Sequence, residues 1–194
     1  MRITEEEKAK NRARIVETAG KLFRERGVQE VGIADLMREA GFTHGGFYNH
    51  FESKEALAAE VCATSIAKGN QSFADGLRGG DADAAWRRFV EDYLSPSHRD
   101  DPAGGCTMAA LMGDAAHEPT EVQATIACGS NELVELIAGY FSRRYRLDAA
   151  AGRRRAIEAV TQMLGALSLS RAMVRADRKM ADEVIAVCRE KLTR

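Results

Sequence analysis

The sequence predicts an all-α chain in two parts, a small N-terminal head of three helices carrying a helix-turn-helix (residues 1–56) and a larger helical body (57–194). Three observations lead there. Apolar residues recur at helical spacing, and no β-branched alternating run bounded by turns occurs. Only 3 prolines interrupt 194 residues rich in Ala, Leu, Arg and Glu, a composition that favours helix. The stretch Gly32–Lys54 reads as two short helices joined by a tight turn.

The first helix is expected over residues 5–26, with Ile15, Ala19, Leu22 and Phe23 as its apolar face and Gly27 as its end. Lys8 and Lys10, among Glu5, Glu6 and Glu7, form either a basic arm near a nucleic-acid backbone or a solvated, salt-bridged first turn. Ile33, Leu36, Met37 and Ala40 give the second helix one apolar face, and Gly41 supplies the left-handed conformation that ends it. Thr43 is placed to N-cap a third helix over 43–51, with Phe47 and Phe51 inward and His44, Gly45, Gly46, Tyr48, Asn49 and His50 outward. That outward side has no acidic residue and no long aliphatic one, the layout of a helix that enters the DNA major groove.

In the body, helices are expected over 54–78, capped by Ser53, over 82–93, 106–117, 121–144, 149–175 and 179–192, with a Pro/Gly-marked loop at 95–105. Positive and negative side chains nearly cancel, 28 against 29, so any basic surface comes from local placement. The N-terminus lacks the apolar core of a signal peptide, and no apolar stretch approaches the ~20 residues that span a bilayer. A cytoplasmic protein without a membrane partner is expected. Cys62, Cys106, Cys128 and Cys188 form no C-x-x-C pair and are expected as thiols.

From Arg14 to Leu57 the chain resembles the TetR family of bacterial transcriptional regulators. The residues that carry the resemblance are Ile15, Ala19, Leu22, Phe23, Gly27, Leu36, Ala40, Gly41, Thr43, Gly45, Tyr48, Phe51, Lys54 and Leu57, all in register. Gly32 and Ala34 stand where the family often has hydroxyls, so this helix-turn-helix is poorer in phosphate contacts. The resemblance implies a homodimer on a palindromic operator in double-stranded DNA, released by a small-molecule effector bound in the body. It implies phosphate contacts from Tyr48, His50 and Lys54. A Lys at a helix start opposes the macrodipole, which favours a role other than helix stability.

Of the other outward residues, His44 offers a ring for a base edge, Thr43 a hydroxyl, and Gly45 and Gly46 close backbone approach. Asn49 either reads a base or faces solvent. A single head touches too little DNA for specificity, so a dimer with half-sites about a helical turn or a multiple apart is expected. By the resemblance, the last two helices pair with their copies through Val160, Leu164, Leu167, Val174, Val184 and Val187; an ordinary intrachain core fits the same stripe. Candidate effector contacts are Phe73, Trp86, Phe89, Tyr93, Met108, Met112, His117 and Met163, a Met-rich aromatic set that also fits a plain core.

Cys106, after two glycines and at a predicted helix start, is either a redox or electrophile sensor or a small buried hydrophobe. Two alternatives to effector release therefore stay open, a thiol switch at Cys106 and an architectural DNA-binding protein without an effector. An enzyme is not expected, since no G-x-S-x-G, P-loop or H-E-x-x-H occurs, and His98 with Asp100 and Asp101 lacks a second anchoring pair for a metal. No cofactor is implied.

Overall fold

The computed structural model describes residues 4–194, and every secondary-structure element among them is helical. Residues 1–3 of the expected head lie outside the described residues. Helix α1 (Glu5–Arg26) starts at a capping box: the Thr4 hydroxyl accepts from the Glu7 amide at 3.2 Å while the Glu7 carboxylate accepts from the Thr4 amide at 2.9 Å. Helix α2 (Ile33–Glu39) begins at Gly32 without a side-chain cap. The chain then turns through Gly41, whose φ of 81° is open to glycine at no steric cost.

The next segment, His44–Asn49, is a 3-10 helix and not the α-helix expected over 43–51. Thr43 occupies the cap position, but its hydroxyl makes no cap bond, because the Gly46 amide bonds the Thr43 carbonyl instead, at 3.0 Å. Phe47 and Phe51 are buried as expected and meet Ile15, Phe23, Leu36 and Met37 in the head core. Arg12 and Arg14, both on α1, are used in packing. Arg14 lies over the Phe42 ring. Arg12 covers Phe51 at 4.1 Å, donates to the His50 carbonyl and pairs with Glu60.

The body contains α3 (Lys54–Arg78), α4 (Ala82–Tyr93), α5 (Pro96–Asp100), α6 (Thr107–Ala115), α7 (Thr120–Tyr145), α8 (Ala149–Met173) and α9 (Arg178–Thr193). Helix α7 packs between α3 and α8, and α9 lies on α8 and α4. The expected loop at 95–105 thus contains a short helix: Ser95 caps it and Pro96 sits in its first turn, where a missing N–H costs nothing. From α5, Arg99 is buried and pairs with Asp100 at 2.7 Å and with Asp182 of α9 at 2.5 Å.

Two sets of expected contacts fall partly within the chain's own core. Phe73 and Trp86 belong to an aromatic core with Tyr140 and Phe141, where the Trp86 indole donates to the Leu192 carbonyl at 2.9 Å. Met163 is likewise buried core. On α8 and α9, Val160 and Leu167 are buried within the chain, Leu164, Val174 and Val184 are half-buried, and Val187 is 57% exposed. Exposed Ile157, Leu169 and Met180 were not in the expected set.

Gly41 offers a test of the head's turn. A Cβ there would stand 2.8 Å from the Arg14 guanidinium as well as force φ of 81° on an L-residue. Gly41→Ala is expected to cost about 1–2 kcal/mol in urea unfolding; an unchanged midpoint would show that the turn is not under that constraint.

Candidate nucleic-acid interface and cavity

The outward surface of the head is the segment His44–Asn49 with its flanks. Thr43, His44, Gly45, Tyr48 and Asn49 are exposed, Tyr48 at 62%, and Gly46 and His50 are half-buried. The His44 and Tyr48 rings meet edge to face at 6.3 Å, and Tyr48 packs on Phe47, so both side chains are braced while their polar tips face out. A Cβ at Gly45 would meet nothing within 4 Å, and φ there is not positive, so neither packing nor backbone conformation calls for glycine. The His50 Nδ1 is buried without a partner, and burial, then Arg12 and Lys8, keeps the ring below its usual pKa.

Lys54 stands at the start of α3, half-buried, with its ammonium 3.2 Å from the Gln29 carbonyl and 3.4 Å from that of Val31. It therefore holds the α1–α2 connection in place, a packing use that spacing alone did not reveal.

The second site is a cavity of about 710 Å³ between head and body. Its wall comes from α1 (Val16, Gly20, Arg24), α3 (Thr64, Ile66, Asn70), α4 (Phe89, Tyr93), His98 of α5, Cys106 at the start of α6 and Leu133 of α7. Of the expected ligand contacts it brings together Phe89, Tyr93 and Met108, and it also includes Cys106. Phe73, Trp86 and Met163 lie in the core instead. Met112 is 43% exposed and His117 is exposed past the end of α6, both outside the wall. The α1 contribution carries no signal in the sequence pattern, since Gly20 and Arg24 lie outside the apolar set Ile15, Ala19, Leu22 and Phe23.

Arg24 ties the two parts together. Its guanidinium donates to the Ala103 carbonyl, with Nε at 2.7 Å, and to the Thr107 hydroxyl at 3.3 Å. His98 pins the other side of the same rim. Its Nδ1 lies 2.7 Å from the Tyr93 carbonyl, and its Nε2 accepts from the Cys106 amide at 3.0 Å. An acceptor Nε2 requires the neutral ring with the proton on Nδ1, and burial holds the His98 pKa below its ordinary 6.5. Cys106 itself is half-buried at the N-cap of α6, and all four cysteines are free thiols. Cys62 is buried against the core and pushed up to about 11 by burial, then by Glu118, which leaves it inert at neutral pH.

Because its folded-state pKa is depressed, His98 contributes stability that is fully present above the unfolded value of 6.5 and lost as pH falls through the folded one. Site-resolved NMR titration is expected to place His98 below 6.5, with His98→Gln removing part of the loss of stability on acidification. A titration at or above 6.5 would contradict the neutral pin.

Residues 15–61 match the family model described as bacterial regulatory proteins, tetR family. The transcriptional regulator YfiR of Bacillus subtilis is 32% identical over 68 residues, 35% of this chain and 33% of that protein. TtgR of Pseudomonas putida is 42% identical over 57 residues, 29% of this chain and 27% of that protein. The matched stretch thus spans about a third or less of these relatives' length. The fold agrees much further: a TetR regulator from Chloroflexus aurantiacus superposes with a TM-score of 0.77 at 24% identity, over 97% of this chain and 94% of that one. A TetR regulator from Legionella pneumophila gives 0.77 at 18%, over 98% and 99%. The chain thus matches the TetR family of bacterial regulators over residues 15–61, and it shares its all-α fold along nearly its whole length with TetR regulators of solved structure.

Proposed function

We propose that the protein is a dimeric DNA-binding transcriptional regulator, a repressor that leaves a palindromic operator when a small molecule fills the cavity. The observation that carries the DNA reading is the outward face of His44–Asn49: exposed, free of acidic side chains, and built around a Gly45 that the free protein does not need. A glycine that packing does not require suits a backbone that must approach another molecule closely. His44 is the base-reading side chain, Asn49 is available beside it, and Thr43, Gly46, Tyr48, His50 and Lys54 position the head on phosphates.

The effector reading rests on the cavity wall. Because α1 of the head and α3, α4 and α6 of the body all line it, a ligand that prefers one spacing of these helices shifts the orientation of the head. It does so only by as much as it binds that state better. The dimer reading rests on exposed apolar side chains of α8 and α9, Ile157, Met180 and Val187, with Leu164 and Val184 half-buried beside them. A second copy brings the same patch and makes a self-complementary contact. The buried Val160 and Leu167 support it from beneath.

Gly45→Ala is expected to leave folding stability unchanged or raise it by up to ~1 kcal/mol, while weakening operator binding roughly tenfold, about 1.4 kcal/mol. His44→Ala is expected to change which bases are preferred, and Lys54→Ala to weaken all sequences alike. Unchanged affinity in Gly45→Ala, measured by fluorescence anisotropy, would remove this face from the DNA contact. For the dimer, the double substitution Ile157→Glu with Val187→Glu is expected to give a folded monomer in sedimentation, since it sets like charges into a shared apolar contact. A dimer that persists would place the interface elsewhere.

A further inference from the structure

The cavity's charges are unevenly settled. Of the lining residues, Arg12 pairs with Glu60, and Glu17 with Lys21 at 2.9 Å. Arg24, half-buried in the wall, has only the Ala103 carbonyl and the Thr107 hydroxyl as partners. Arg171 of α8 stands behind Gly105 and donates to the carbonyls of His98 at 2.8 Å and Arg99 at 3.2 Å, with its Nη1 buried and unpartnered. Among the described residues neither guanidinium forms an ion pair. Asp101 is the acid nearest in effect on both, but it is exposed and its carboxylate caps the Gly104 amide at 3.0 Å.

A third group points the same way. The Tyr93 hydroxyl is buried at the cavity wall without a hydrogen-bond partner, and burial with the neighbouring Cys106 thiol holds it well above its ordinary pKa, so it stays a neutral donor. A buried donor left unpaired is costly, and such groups are commonly completed by a ligand or an ordered water. Glycine at 105 lets Arg171 and His98 close against the wall, since a Cβ there would stand 2.6 Å from Arg171 Nη2 and 2.9 Å from His98 Nε2. The opposite wall is apolar, formed by Ile66, Phe89, Met108 and Leu133.

We infer that the cavity selects an amphipathic organic anion, its carboxylate head held by Arg24 and the Tyr93 hydroxyl, with the charge of Arg171 close behind the wall, and its apolar body laid along Ile66, Phe89, Met108 and Leu133. A charge-assisted bond from Arg24, reinforced by the nearby charge of Arg171, offsets the desolvation of one carboxylate, which a neutral or cationic ligand cannot exploit. The inference rests on the reading of this cavity as the effector site and gives that site its ligand class.

The test is calorimetric titration of the full-length protein with three probes of equal chain length: dodecanoate, dodecan-1-ol and dodecyltrimethylammonium. Dodecanoate is expected to bind at least about tenfold more tightly than the alcohol, with no measurable binding of the cation, as hydrogen bonds to a charged group imply. Tyr93→Phe removes only an unpartnered hydroxyl, so it is expected to keep the melting temperature while weakening dodecanoate roughly fivefold or more. Arg24→Gln should erase most of the preference over the alcohol; should it fail to fold, Tyr93→Phe carries the test. Equal binding of acid and alcohol, preference for the cation, no binding of any probe, or an indifferent Tyr93→Phe would overturn the assignment. A carboxylate preference without any effect on operator binding would leave the anion site standing and remove the effector role.

Discussion

Helix α1 has to satisfy two neighbours at once, and the rest of the molecule is arranged around that constraint. One face, Ile15, Ala19, Leu22 and Phe23, closes the head core against α2 and the His44–Asn49 segment. The adjacent face, through Val16, Gly20 and Arg24, meets α3, the start of α6 and the cavity. Gly20 leaves little room, since a Cβ there would come within 3.1 Å of Arg24 and 3.4 Å of Val61. Arg24 then fixes the seam by bonding the Ala103 carbonyl and the Thr107 hydroxyl across a sequence separation of about eighty residues. A second tie, from Gln29 to the buried Glu118 at 2.8 Å, lies at the far end of α6.

This arrangement gives the proposed switch a physical route. Hydrogen bonds of Arg24 and Gln29 to the two ends of α6 are strong enough to orient the head, and few enough to be rearranged by a ligand of ordinary affinity. His98 holds the α5–α6 connection to the end of α4, so the cavity rim is a set of hydrogen-bonded parts and not a packed wall. The hydrophobic body behind it, centred on Trp86, Tyr140 and Phe141, is the packed reference for the proposed shift of α1 and α6.

The fold was legible because helical periodicity, caps and breakers are local. Gly27, Gly41 and Ser53 end or start helices where the pattern put them. What failed needed context. Two consecutive glycines leave His44–Asn49 with too little helix propensity to relax into a full α-helix. Pro96 read as a loop marker, although its place in the first turn of α5 is where proline fits. The outward head residues were legible as a surface, since their burial follows from Phe47 and Phe51 pointing in. The cavity was legible only in Phe89, Tyr93 and Met108. Trp86 and Phe73 share their chemistry but stack on α7, and Arg24 and Arg171 look like surface cations until α5 and α6 fold over them. On α8, the apolar stripe did not tell which of its residues pack within the chain; Val160 and Leu167 turn inward.

The most direct test of the central claim is selection of genomic fragments by the purified protein at physiological salt, stripped of bound small molecules. Enrichment of a few fragments sharing an inverted repeat, with half-sites about one helical turn or a multiple apart, is the expected result for a dimer reading DNA through His44–Asn49. Uniform recovery of all fragments, scaling only with their length, would contradict it and leave the head as a non-specific DNA-binding surface.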